Sequence, residues 1–201
     1  MIIAIKATEQ QKQVILQKNT PIQFIWVDDS SEATTNADAY FDVTDNEAAL
    51  FFNVADKPVF KNAVTATGSS LPANYIRINA WPFFFERNAW ELSCSDAILP
   101  QAQQVLEQLN IKPIIVADKP GLIAAPVIAM IINEAFYTLG EGVSTKEDID
   151  TAMKLGTNYA YGPFEWCDKI GAKNIVNLLN VLALNNKTRY IAAPLLLKAA
   201  G

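Results

Sequence analysis

Three consecutive stretches of the sequence decide the fold class: Trp90-Glu91-Leu92-Ser93-Cys94, the segment Asp96–Leu109, and Pro113-Ile114-Ile115-Val116. The first and last stretches are short and mostly apolar, as buried strands are, and the segment between them has the apolar spacing of a helix. Short buried strands that alternate with helices are typical of a mainly parallel sheet covered on both faces. The sequence therefore predicts an α/β fold around this stretch.

The same alternation extends back to the beginning of the sequence. Apolar and β-branched runs predict further strands at Ile2–Ile5, Ile22–Val27, Ala39–Val43, Val59–Thr65 and Tyr75–Trp81. The interleaved polar residues of Glu9–Lys18 predict a helix, and Asp45–Phe52 predicts a second helix that is capped by Thr44 or Asp45.

Beyond Gly121 the pattern is helical only. Leu122–Leu139 is apolar on nearly all sides, Ser144 and Glu147 have the spacing of a capping box, and Gly156 is placed to end that helix. Pro163 predicts the first turn of a helix that ends at Gly171, and the last helices are predicted at Lys173–Asn186 and Ile191–Ala200. We therefore predict an α/β domain over residues 1–118 and an all-helical domain over residues 119–201.

The amino-acid composition limits the classes of function that we expect. The net charge is −5, and a negatively charged protein repels the phosphates of a nucleic acid, so we do not expect nucleic-acid binding. There is no histidine, and Cys94 and Cys167 lie far apart, so we expect no metal site and two reduced thiols. The longest apolar run, Leu122–Ile132, is about half of a membrane span. The first residues predict a strand rather than a signal peptide, so we expect a cytoplasmic protein without membrane contact.

A set of spaced motifs in the helical part resembles the C-terminal domain of 3-hydroxyacyl-CoA dehydrogenases. The motifs are Asp118-Lys-Pro-Gly121, Asn133-Glu-Ala135, Glu141-Gly-Val143, Lys146-Glu-Asp-Ile-Asp150, Ala152-Met153, Gly156, Gly162-Pro-Phe-Glu165 and Asp168, followed by Arg189-Tyr190 and Pro194-Leu-Leu196. The resemblance implies fatty-acid or hydroxyacyl-CoA metabolism, NAD as the cofactor of the family, and a helical domain that pairs two subunits.

The front part resembles the same family more loosely, through Ala66–Leu71, Arg77–Phe84 and Trp90–Leu92. It is much shorter than a full Rossmann domain. The chain is similar to the second half of double-length bacterial 3-hydroxybutyryl-CoA dehydrogenases, where a reduced Rossmann-like domain precedes a second helical domain. This resemblance implies a reduced Rossmann-like, mainly parallel sheet followed by the family's helical domain.

The resemblance also shows which catalytic residues are missing. The family's catalytic histidine falls on Trp81, and its active-site asparagine falls on Ala125. Glu91 matches the partner carboxylate across a small gap, and Ser69 or Ser70 matches the substrate-contacting serine. Without an imidazole to take the hydroxyl proton, Glu91 has nothing to orient. We therefore treat Glu91, Ser69 and Ser70 as vestigial site residues.

The cofactor site is also incomplete. A Rossmann fingerprint needs glycines in the first strand-to-helix turn, where backbone amides approach a pyrophosphate. That turn is Lys6-Ala7-Thr8-Glu9 and contains no glycine. Asp28-Asp29 stands where a ribose-binding acid is expected, but without the glycines it indicates a turn. We expect no NAD binding of the usual kind and no other cofactor.

Two further sets of residues have alternative interpretations. Trp81-Pro-Phe-Phe-Phe85 is either an aromatic wall for an acyl or adenine group or the end of a core strand. Lys57 and Lys61 either meet a CoA phosphate or are solvated surface lysines. The apolar helix Leu122–Leu139 either lines an acyl tunnel or pairs subunits, and the second interpretation explains its apolar character better.

Three functional hypotheses follow. The chain is a non-catalytic homologue that forms a homodimer and binds an acyl-CoA or a dehydrogenase partner. Alternatively, it is an active NAD-dependent 3-hydroxybutyryl-CoA dehydrogenase with a divergent site, or with a partner that supplies the missing Rossmann half. The third hypothesis is a structural or regulatory dimer without a small ligand. The absent histidine and glycines favour the first hypothesis over the second.

Overall fold

The computed structural model describes residues 1–18, 20–28, 36–45, 51, 54 and 56–201. It contains two compact units, Met1–Leu122 and Ile123–Gly201. The first is an α/β unit, called here the sheet unit, and the second consists of helices and is called the helical unit. The predicted fold class, a reduced Rossmann-like sheet followed by helices, is confirmed.

The sheet unit contains seven strands in the order β2-β1-β3-β4-β5-β6-β7. Their bounds are β1 Ile2–Lys6, β2 Gln23–Trp26, β3 Ala39–Asp42, β4 Val59–Asn62, β5 Tyr75–Ile78, β6 Ala89–Ser93 and β7 Lys112–Ile115. All neighbouring strands are parallel except β5 and β6, which are antiparallel. The described helices of this unit are α1 Glu9–Gln17 and α2 Leu99–Gln108, and Gly68–Ser70 forms a 3₁₀ turn.

Each face of the sheet has its own core. Strand side chains alternate between the faces, so Phe41, Phe60 and Ile76 share one face, which packs with Ile15 of α1 and Leu106 of α2. The other face has a smaller apolar cluster that includes Tyr40, Val59 and Tyr75. The predicted helix at Asp45–Phe52 lies mostly outside the described residues.

The helical unit contains five helices among the described residues: α3 Ala124–Gly140, α4 Lys146–Thr157, α5 Pro163–Ile170, α6 Ala172–Ala183 and α7 Pro194–Ala200. The prediction that Pro163 opens a helix ending at Gly171 is confirmed, and Gly171 has a φ of 92°. The predicted first residue of α7, Ile191, is wrong because the helix begins at Pro194, whose fixed φ suits a first turn.

Two predicted caps of α4 are wrong. The N-terminal cap is Thr145, whose hydroxyl accepts a hydrogen bond from the amide of Asp148 at 3.2 Å, and not Ser144 with Glu147. The helix also runs past Gly156, because Asn158 takes the left-handed conformation with a φ of 57° and ends it. An asparagine tolerates that conformation at little cost, so glycine was not needed at the helix end.

Candidate functional site

The first place to look for a ligand is the carboxyl end of β1. The chain leaves β1 for β2 on one side, and β3 lies on the other side. In parallel α/β sheets such a reversal of strand order opens a crevice at the carboxyl ends of the strands, where ligands bind. The site is therefore bordered by the β1–α1 turn and by the residues that follow β3.

Side chains of the turn form hydrogen bonds at this edge of the sheet. Thr8 and Gln11 form a capping box, in which Thr8 Oγ1 accepts from the Gln11 amide at 3.3 Å and Gln11 Oε1 accepts from the Thr8 amide at 2.9 Å. Gln11 Nε2 also donates to the carbonyl of Val43, just after β3, at 2.6 Å. Two of the backbone amides at this helix N-terminus, those of Thr8 and Gln11, are therefore engaged within the chain.

A second feature is a row of polar side chains across four strands. Asp42 of β3 is in register with Lys61 of β4, Lys61 with Arg77 of β5, and Arg77 with Ser93 of β6. Residues that lie directly opposite each other point to the same face of a sheet. The four residues, called here the polar row, are all buried.

The charges of the polar row are paired. Lys61 Nζ forms an ion pair with Asp42 Oδ2, and both side chains are at most 2% exposed. Asp42 Oδ1 accepts from the hydroxyl of Thr44 at 2.6 Å and from its amide at 3.2 Å. The expectation that Lys61 is a solvated lysine is wrong, because a buried ammonium requires a carboxylate beside it. Lys61 therefore has a structural role at the end of β4.

Arg77 holds three segments together. Its guanidinium pairs with Asp118 and donates to the carbonyls of Ala63, at 3.1 and 3.2 Å, and Lys119, at 3.2 Å. Burial lowers the pKa of Arg77, and the Asp118 carboxylate opposes that shift. Asp118 also accepts from the amide of Gly68, at 2.8 and 2.9 Å to its two oxygens.

The 3₁₀ turn that carries Ser69 and Ser70 is thus fixed by Asp118. Both serines are exposed. Both hydroxyls form hydrogen bonds with Thr67. Ser69 Oγ lies 2.9 Å from Thr67 Oγ1, and Ser70 Oγ donates to the Thr67 carbonyl at 2.7 Å. The turn is therefore held in place by Asp118 and carries two exposed serines.

Asn79 follows β5 and is buried with an incomplete hydrogen-bond set. Its Oδ1 accepts from the amide of Trp81 at 3.1 Å, whereas its Nδ2 has no hydrogen-bond partner among the described residues. Ile78 pairs with Leu92 of β6, so the same antiparallel register brings Asn79 level with Glu91. A buried amide donor without a partner marks a place where a water molecule or a ligand is expected.

Comparisons with known proteins fit this architecture. Residues 121–200 match the family model described as 3-hydroxyacyl-CoA dehydrogenase, C-terminal domain. The chain is 42% identical over 87 residues to a 3-hydroxyadipyl-CoA dehydrogenase of Escherichia coli, covering 43% of this chain and 18% of that protein. It is 38% identical over 96 residues to a 3-hydroxybutyryl-CoA dehydrogenase of Clostridioides difficile, covering 47% of this chain and 34% of the relative.

Residues 121–200 are therefore similar in sequence to the C-terminal domain of 3-hydroxyacyl-CoA dehydrogenases. The likeness in fold includes the sheet unit, since a crystal structure of (S)-3-hydroxybutyryl-CoA dehydrogenase from Ralstonia eutropha superposes with a TM-score of 0.71. That alignment covers 98% of this chain and 92% of the other at 19% identity, which shows the fold alone. The chain spans only 18% and 34% of the two curated relatives named above.

The residues that resemble the dehydrogenase site are distributed over both units. Trp81 directly follows β5 and is buried, and Glu91 is half-buried in β6. Ala125 is buried in the first turn of α3 in the helical unit and has no polar side-chain atom. Of the aromatic run, Trp81 and Phe85 are core residues, and Phe85 stacks on Trp90 at 4.8 Å between ring centroids.

The remaining candidates do not form a site. Lys57 and Asp28 are exposed, and Asp29 lies outside the described residues. Cys94 and Cys167 are free thiols in different units, and burial raises the pKa of each to about 11, which makes both poor nucleophiles. Within the described part of the chain, no group of metal-binding side chains was found, and no helix is long and apolar enough to cross a membrane.

Sequence analysis missed the polar row and Asn79. A signal for the row was present, because the buried strands Ala39–Asp42, Val59–Asn62 and Tyr75–Ile78 each contain one charged residue in an otherwise largely apolar run. Charged residues in buried strands are almost always paired. Asn79 gave no such signal, since its missing partner appears only in three dimensions.

Proposed function

We propose that this chain is a non-catalytic relative of the 3-hydroxyacyl-CoA dehydrogenases that binds an acyl-CoA and forms a homodimer through its helical unit. One observation carries the proposal: the position of the family's catalytic histidine is occupied by Trp81, in a sequence with no histidine. An indole does not exchange a proton near neutral pH, whereas general acid–base catalysis typically contributes about 10²- to 10⁴-fold in rate. The chain's own residues lack that contribution.

The β1–α1 turn supports the absence of a dinucleotide. NAD supplies hydride transfer when it is bound, and its pyrophosphate needs free amides at a helix N-terminus. Here the capping box engages the amides of Thr8 and Gln11, and Gln11 also binds the Val43 carbonyl. A pyrophosphate would have to break these hydrogen bonds, so the residues present do not fit the family cofactor.

Asn79 supports a ligand other than a dinucleotide. Its buried Nδ2 is a donor without a partner among the described residues. The thioester carbonyl of an acyl-CoA is an acceptor of the kind that Nδ2 requires. Acyl-CoA is the preferred ligand class because the named relatives are hydroxyacyl-CoA dehydrogenases.

The test is calorimetric titration with acetoacetyl-CoA and, in a separate run, with NADH. We expect binding of acetoacetyl-CoA without NADH. Asn79→Asp keeps the oxygen that accepts from the Trp81 amide and removes the donor, so it should weaken acetoacetyl-CoA binding at least about tenfold. Asn180→Asp on the exposed side of α6 is the matched control and should bind normally.

Tight NADH binding would contradict the proposal and restore the dehydrogenase hypothesis. If neither ligand binds, the acyl-CoA part of the proposal is wrong, and a structural or regulatory dimer is the better account.

An exposed apolar side chain in α3 supports the homodimer. Val127 is 54% exposed, whereas Ile128 and Ile132 are buried. A helix that is apolar on more than one side needs a partner for its outer side. Val127→Glu should therefore shift the protein to monomer in analytical ultracentrifugation, and Leu16→Glu on exposed α1 should not.

A further inference from the structure

A cavity of about 340 Å³ lies in the sheet unit, away from the polar row. It is bordered by the end of α1, the turn that precedes β6, and the end of α2. Val14 and Leu109 form apolar parts of its wall, and Gln17, Asn88 and Asn110 contribute amide side chains. The proposed acyl-CoA site uses none of these residues.

Lys18 brings a positive charge to this cavity. Its Nζ donates to the carbonyl of Arg87 at 3.3 Å and to Asn88 Oδ1 at 3.1 Å, and it lies 5.8 Å from the centroid of the Trp90 ring. These partners are all neutral. None of the ion pairs among the described residues includes Lys18.

The positive charge of Lys18 is therefore not balanced by an ion pair among the described residues. Burial lowers its pKa, and Glu86, whose carboxylate borders the same cavity, forms no ion pair with it among the described residues. Lys12, one turn and a half earlier in the same helix, has the opposite environment, since Glu9 binds its Nζ at 2.7 Å. A half-buried ammonium that is held by neutral oxygens has one remaining N–H donor and attracts an anion.

The other groups of the cavity decide which anion fits. The Asn88 amide nitrogen remains a donor when its oxygen faces Lys18, and Gln17 and Asn110 add further amides. Glu86 also borders the cavity, and one of its carboxylate oxygens accepts from the Phe83 amide at 3.2 Å. A second negative charge in the cavity disfavours a dianion such as phosphate.

We infer that this cavity binds a small monocarboxylate whose short apolar chain rests against Val14 and Leu109. The carboxylate would meet the ammonium of Lys18 and the amide of Asn88. The inference is independent of the proposed acyl-CoA site, because the two sites share no residue.

The test is an NMR titration of the ¹⁵N-labelled protein with sodium butyrate. We expect saturable shifts of the Asn88 and Asn110 side-chain amides, with a Kd on the order of 1 mM, as one charge pair in a small site allows. A titration with inorganic phosphate should show weaker binding. Phosphate binding that equals or exceeds butyrate binding would overturn the ligand class, and absence of saturable shifts would overturn the site.

Two variants and one control distinguish specific binding in this cavity from non-specific ion binding. Asn88→Asp keeps the Lys18 contact and the fold while it neutralises the ammonium, so butyrate affinity should fall at least about tenfold. Lys18→Met should give the same loss, and Lys12→Met should bind as the unmodified chain does. Unchanged butyrate binding by Asn88→Asp would overturn the inference. A titration of the same variant with acetoacetyl-CoA tests the proposed acyl-CoA site separately.

Discussion

The two units of this molecule resemble the 3-hydroxyacyl-CoA dehydrogenases in different ways: residues 121–200 match the family model in sequence, whereas the sheet unit is similar in fold. The helical unit keeps the residues that build it: Asp150 accepts from the amides of Phe164 and Glu165, at 2.8 and 3.2 Å, and Glu165 accepts from the amide of Gly162 at 2.9 Å. The sheet unit has the strand order of an α/β fold, but Trp81 stands where the resemblance in sequence places the catalytic histidine, and the first turn lacks glycine.

The difference shows that a fold and a chemistry depend on different residues. A parallel sheet forms from alternating apolar side chains of suitable size, and many sequences supply them. Proton transfer needs a specific group at a specific place. A sheet of this kind can therefore lose a chemical group and keep its architecture.

The largest effect is expected from the ion pair of the polar row. Asp42→Asn leaves the buried Lys61 without its carboxylate and should lower the free energy of unfolding by about 3–5 kcal/mol, measured by urea denaturation. The double variant Asp42→Asn/Lys61→Met removes both charges and should recover most of that loss. A single variant as stable as the unmodified chain would show that the pair is not structural.

The next effect tests the helical unit. A Cβ at Gly162 would lie 2.3 Å from Asp150 Oδ1 and 2.4 Å from its Cβ, so Gly162→Ala must displace the carboxylate that caps α5. We expect a loss of about 3 kcal/mol in the free energy of unfolding. Gly156→Ala is the matched control, since nothing lies within 4 Å of its added Cβ and the helix should gain about 0.5–1 kcal/mol. Equal stability of the two variants would contradict this account.

The smallest effect depends on pH. The Lys154 ammonium and then the Gly162 amide lower the pKa of Glu165 from its ordinary 4.5. A carboxyl group with a lowered pKa stabilises the folded state above its ordinary pKa, and this contribution disappears as the pH falls through the lowered value. Glu165→Gln should therefore reduce the stability lost between neutral pH and pH values below 4.5. The effect should be small, because both partners are more than one third exposed. If the stability of the variant depends on pH as that of the unmodified chain does, Glu165 does not contribute to this pH dependence.

Sequence reasoning predicted these two units unequally well. Strands such as Tyr75–Ile78 and the helix that Pro163 opens follow from local periodicity and proline geometry, and both were found. The cap of α4 was missed by one residue, because Ser144 and Thr145 are equivalent as caps in sequence. The single charge in the strand Val59–Asn62 indicated that Lys61 is buried and paired, but its partner Asp42 and the unpaired Nδ2 of Asn79 depend on strand register and on tertiary structure.

The central claim is that the sheet unit has kept a fold without its chemistry. The most direct measurement is NADH oxidation by the purified chain in the presence of acetoacetyl-CoA, followed at 340 nm. We predict a rate indistinguishable from that of the Trp81→Phe variant and from the reaction without protein. Turnover near about one per second, a modest but ordinary enzyme rate, would contradict the account.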